Sequence, residues 1–201
     1  MKYLLSLLLL ILFVILSYGQ DTLCQKKITE SEILAQNCLD EYFSQNKVNK
    51  EKFITSFEDY FINNKLVENK NGKGELYWNI LKYIEVHPDK MPSIEKPYQI
   101  IEVAKKLKLT IPNLIKYDQL KCIQNEYKIY NISCKKDTNS TFAIFGDIAK
   151  SLPENPNIHY SLIASTLRLF TTPKKLEEKI YQENIVMLFW FQLANFYGKW
   201  E

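Results

Sequence analysis

The chain has 201 residues, 46% of them hydrophobic, and 26 Lys and Arg stand against 23 Asp and Glu for a net charge of +3. That balance lacks the field a polyanion binder needs. Arg168 is the only Arg, so the guanidinium forks that read phosphates and guanines are missing and nucleic acid is not an expected partner.

The first element is an export signal. Lys2 opens it, an apolar run from Leu4 to Leu16 is broken only by Ser6, and Ser17-Tyr18-Gly19 places small residues where signal peptidase cuts. A spanning helix needs about 20 apolar residues, so this run fits a cleavable leader better than an anchor. Residues 1–19 are therefore expected to be removed. Residues 20–201 form the working domain, without a further transmembrane segment.

Thr29-x-x-Glu32 reads as a capping box, with Ile33, Leu34, Leu39 and Phe43 as the apolar stripe behind it. Asn49 can cap a second helix carrying Phe53, Phe57, Tyr60 and Phe61. Asn71-Gly72-Lys73-Gly74 breaks the chain, and a third helix through Leu76, Tyr77, Ile80, Leu81 and Ile84 ends at His87-Pro88. A loop with Pro88, Pro92 and Pro97 leads to a fourth helix holding Tyr98, Ile101 and Leu107. Thr110 and Pro112 start a fifth that runs to Ile123; Tyr127–Cys134, β-branched and aromatic, reads as an extended link or a short strand. Phe142–Leu152 and Ile158–Phe170 are further helices, with Pro153 and Pro156 between them. Thr172-Pro173 begins the last, whose run Ile185–Phe191 is apolar on every side. Such a helix belongs in a core. Few glycines and no fixed-period repeat complete an all-α expectation: one compact domain of seven or eight helices around a buried, strongly apolar C-terminal helix.

Cys24, Cys38, Cys122 and Cys134 all follow the leader. An even count in an exported chain predicts disulfides, whereas metal binding would want Cys-x2-Cys spacing or nearby His. Closeness in sequence favours Cys24–Cys38 with Cys122–Cys134, and two other connectivities stay open. Asn131-Ile132-Ser133 and Asn139-Ser140-Thr141 are glycosylation sequons. The Lys-, Asn-, Ile- and Leu-rich composition and terse leader point to a bacterial envelope or secreted protein, where those sequons would carry nothing.

Catalytic constellations are absent from the sequence. His87 and His159 lie in no His-Glu-x-x-His motif, and Ser161 sits in His-Tyr-Ser-Leu-Ile rather than Gly-x-Ser-x-Gly. No glycine-rich phosphate loop occurs, so no cofactor is implied. Asp40-Glu41, Glu58-Asp59 and Glu177-Glu178 are adjacent pairs, which a helix turns about 100° apart, as expected of solvated faces.

These readings lean away from an enzyme. They point to an exported, periplasmic or secreted, helical protein that acts by binding another envelope or extracellular protein. Phe189, Trp190 and Phe191 are the candidate interaction surface. The alternatives are a carboxylate-based hydrolase and a carrier of a hydrophobic ligand.

Overall fold

A computed structural model describes residues 2–68, 72–107, 121–134, 140–152, 154–155 and 158–199; for residues 2–22, 98 and 129–133 it describes the backbone alone. The side chains of the expected leader, residues 1–19, and of the sequon residues Asn131 and Asn139 therefore lie outside the described ones. So does most of the expected fifth helix, within 108–120.

The described residues are all-helical. They form α1 (Lys2–Gln45), α2 (Lys50–Asn63), α3 (Lys73–Val86), α4 (Tyr98–Lys106), α5 (Lys121–Ser133), α6 (Thr141–Ser151), α7 (Tyr160–Phe170) and α8 (Lys179–Tyr197). A 3₁₀ turn, Lys175–Glu177, leads into α8. The one β contact among them is an isolated parallel bridge between Ile94 and Gly198. Local chemistry sets several boundaries. The Asn49 side chain accepts the Lys52 N–H at 2.9 Å and caps α2; Ser140 does the same for α6 through the Ala143 N–H at 3.1 Å.

α8 packs against α1, α2 and α4. From Ile180 to Ala194 it shows no solvated stripe: Ile185 to Phe191 are all buried, as are Leu193 and Ala194. Phe53, Phe57 and Tyr60 of α2 meet it from one side. Phe57 lies edge-on to Trp190 with centroids 5.6 Å apart, and Phe53 lies 5.2 Å from Phe191. Each fully buried side chain of this size contributes roughly 1.5–3 kcal/mol. α3 and α7 pack together, with Arg168 paired to Glu85 and lying 5.0 Å over the Trp78 ring. The single Arg is thus engaged within the fold. Gly146 of α6 lies against the Tyr127 ring of α5, where any Cβ would collide.

Three expectations are corrected. First, α1 is continuous through Thr29–Glu32, so no capping box forms there. Thr29 Oγ1 instead donates back to the Gln25 carbonyl at 3.2 Å. The buried stripe is Ile28, Glu32, Ala35, Leu39 and Phe43, while Ile33 and Leu34 are 55% and 51% exposed. Second, residues 127–133 are helical, within α5, because the neighbouring α1 gives them a partner face. Third, the disulfides are Cys24–Cys134 and Cys38–Cys122, with Cα atoms 5.5 and 5.6 Å apart. Cys24 and Cys38 stand on one helix, where fourteen positions put them about 21 Å apart. A disulfide spans at most about 6.8 Å. Pairing had to run across to α5.

Candidate functional site

α2 turns one side to the core through Phe53, Phe57 and Phe61 and leaves Ser56, Asp59 and Asn63 outward. Opposite stands the stretch from Pro92 to Lys106. Pro88, Pro92 and Pro97 remove donors from it and from the loop before it, and the tyrosine anchors reach the carbonyls of the first two. Tyr60 donates to the Pro92 carbonyl at 2.5 Å, and Tyr160 donates to that of Pro88 at 2.5 Å. Tyr197 also donates to the Pro88 carbonyl, and its hydroxyl lies 2.6 Å from that of Tyr160. The Ile94 N–H reaches the Tyr197 carbonyl at 2.7 Å, and the Lys199 N–H returns to the Ile94 carbonyl at 3.0 Å. Met91, Ile94 and Pro97 are buried beneath. At the far end, Tyr42 donates to the Leu107 carbonyl at 2.6 Å. Burial, helped by neighbouring phenols, pushes Tyr60 and Tyr160 well above the ordinary tyrosine value and keeps these donors protonated.

Between the two walls lies a cleft of about 900 Å³. Phe53, Tyr60, Ile94, Ile100 and Trp190 form its floor, and the Trp190 Nε1–H donates to Ser56 Oγ at 3.0 Å. The rim is polar and graded. Lys47, Lys52 and Lys106 stand at the end where Tyr42 holds Leu107; Asp59, Asn63 and Asn64 stand at the end where Tyr60 holds Pro92, and Glu95 and Lys96 follow Pro92 along the opposite wall.

Phe189, Trp190 and Phe191 do not make a surface. They are 0%, 3% and 0% exposed, closed over by Phe53, Phe57 and Tyr60. An aromatic run without a polar stripe has no side to leave in water, so α8 takes the centre. Only Trp190 reaches the cleft. The four cysteines are all taken up in the two cross-links between α1 and the α5 region. His159 caps α7, its Nδ1 accepting the Ser161 N–H at 3.3 Å, and stacks 4.4 Å from Tyr160. His87 closes α3 and stacks 4.5 Å from Tyr83. The His159 imidazole serves a helix end, whereas at His87 the backbone N–H closes α3 on the Tyr83 carbonyl and the ring stacks.

The carboxylates depart further from expectation. Glu32, Glu58 and Glu183 are buried, and each meets a lysine and a second polar partner. Glu32 takes Lys175 at 2.7 Å and the Tyr181 hydroxyl. Glu58 takes Lys73 and the Tyr77 hydroxyl, the latter at 3.0 Å. Glu183, only 1% exposed, takes Lys50 at 2.6 Å and Gln36 at 2.7 Å. Burial opposes the charge on Lys175, but hydrogen bonds to Glu178 and Glu32 outweigh it and hold the ammonium above its ordinary value. Burial, reinforced by Glu58, raises Tyr77 as well. These groups fasten helix to helix. A carboxylate in such a pair is costly to orphan, by about 3–5 kcal/mol.

Among the described residues, no three His, Cys, Asp or Glu side chains gather as a metal would require. Among the same residues, no helix is long and apolar enough to cross a membrane. The chain matches no family model, no curated protein and no solved structure.

Proposed function

We propose that the chain is exported to the periplasm or the extracellular space and acts there by binding another protein, which it receives in the cleft between α2 and residues 92–106. The observation that carries this reading is the cleft: an apolar floor within a rim of amides and charges of both signs, framed by anchored walls. Aromatic and aliphatic floor with polar rim is the make-up of a protein-recognition surface. Two paired disulfides suit an oxidising compartment, and the apolar segment Leu4–Leu16 suits a leader.

The other two readings find less support. A carboxylate hydrolase would want two acids opposed across the cleft with defined partners. Glu102 is engaged by Lys106 at 3.5 Å, and Asp59 and Glu95 are exposed rim residues. A carrier of an apolar ligand would want an enclosed apolar cavity beside α8, and Phe189 and Phe191 are packed to full burial instead.

The test is affinity purification of the exported protein from its host, with identification of what co-elutes and an intact mass. A stoichiometric partner is expected, lost when the exposed cleft residue Gln99 is changed to Trp without a change in melting temperature. Elution alone, or a partner that tolerates Gln99→Trp, would contradict the proposal.

A further inference from the structure

We infer that the partner enters the cleft as an extended acidic peptide segment, its carboxylates at the end carrying Lys47, Lys52 and Lys106 and an apolar side chain seated over Trp190. The inference rests on the cleft being the partner site and deepens that reading. Two tyrosine anchors give the cleft its direction. Tyr42 fixes Leu107 beside the α1–α2 corner, and Tyr60 fixes Pro92 beside the C-terminal half of α2. Lys47, Lys52 and Lys106 therefore share one end, against Glu102 alone. Lys47 and Lys52 are exposed and enter no ion pair among the described residues, so their charges are available. Asp59 and Glu95 belong to the other end, where Lys96 offsets one of them.

The two ends act separately. Lys52 and Asp59 are two turns apart on α2, about 10 Å, which exceeds the screening length of about 8 Å at physiological salt. A partner therefore meets a basic end rather than an averaged neutral rim. The distance from Lys52 to Asn63, about 16 Å of helix, accommodates about five residues of extended chain. Asn63 and Gln99 supply amide donors and acceptors along that length, matching the alternating N–H and C=O groups of a peptide. Exposed charge pairs give less affinity than direction, so the acidic residues would set orientation and choice of partner while the floor supplies apolar burial.

A displayed library of random heptapeptides, panned against the disulfide-bonded protein, tests this. The selected peptides are expected to carry two or more Asp or Glu within three positions of a Leu, Phe or Trp. The best of them, as a fluorescein conjugate, should bind at least tenfold more weakly to the triple variant Lys47→Glu, Lys52→Glu, Lys106→Glu. All three side chains are exposed, so this variant should melt with the wild type. Selection of basic or uncharged peptides, no selection at all, or acidic peptides indifferent to the reversal would overturn the inference. A whole partner lost on Gln99→Trp but kept on the triple reversal would overturn it too, and leave the cleft reading standing.

Discussion

The α1–α5 pair and the surroundings of α8 solve the same problem by different means. Of residues 121–128 in α5, only Ile123 and Tyr127 are buried, and two disulfides tie this region to α1. α8 has no covalent tie and buries nearly every side chain from Ile180 to Ala194, amid the rings of Phe53, Phe57 and Tyr60. Where apolar area is scarce the chain is cross-linked, and where it is plentiful packing suffices. The cleft lies on the packed side, its floor formed by the same aromatic layer that holds α8. Binding at the cleft should therefore be insensitive to the cross-links.

The largest expected effect is on the packed side. Phe57→Ala removes a fully buried ring in contact with Phe61, Tyr77 and Trp190, and should cost about 3–5 kcal/mol in denaturant unfolding with both disulfides intact. A cost below about 1 kcal/mol would mean that α8 is not the mechanical centre.

The cross-linked side should respond next. Cys38→Ser with Cys122→Ser opens a link spanning 84 positions and should cost about 2–4 kcal/mol. Amide exchange should rise in α5 before it rises in α8. An unchanged melting temperature on reduction of the wild type would remove the contrast between the two regions.

The smallest effect is alkaline. Tyr60 and Tyr160 have folded-state values raised by burial above the ordinary 10.0, so the unfolded phenols ionise first. Their contribution is complete below about pH 10 and fades as pH rises from there towards the folded values. Unfolding free energy should fall steadily above about pH 10, and Tyr60→Phe should make that decline shallower. An equal slope in the variant would mean that Tyr60 is not held neutral by the fold.

The helices whose signals are local were legible in the sequence. Asn49 caps α2, His87-Pro88 ends α3, and the break before α3 falls at Gly72. The register of α1 was not, because Glu32 disguises the buried stripe; its compensating partners, Lys175 and Tyr181, are more than 140 positions away. Nor was the cysteine pairing, although two cysteines fourteen positions apart on one helix cannot meet. The cleft escaped altogether. Its walls come from 47–64 and 92–106 and its floor from Trp190, and no local pattern marks residues that share only a space.

The most direct measurement places a photoactivatable cross-linking residue at Gln99 in the cleft and, separately, at Lys128 on the exposed side of α5, in the native host. One protein captured covalently from position 99 and not from position 128 is the predicted result. Capture from position 128 alone, equal capture from both, or none from position 99 would contradict the cleft as the place where this protein acts.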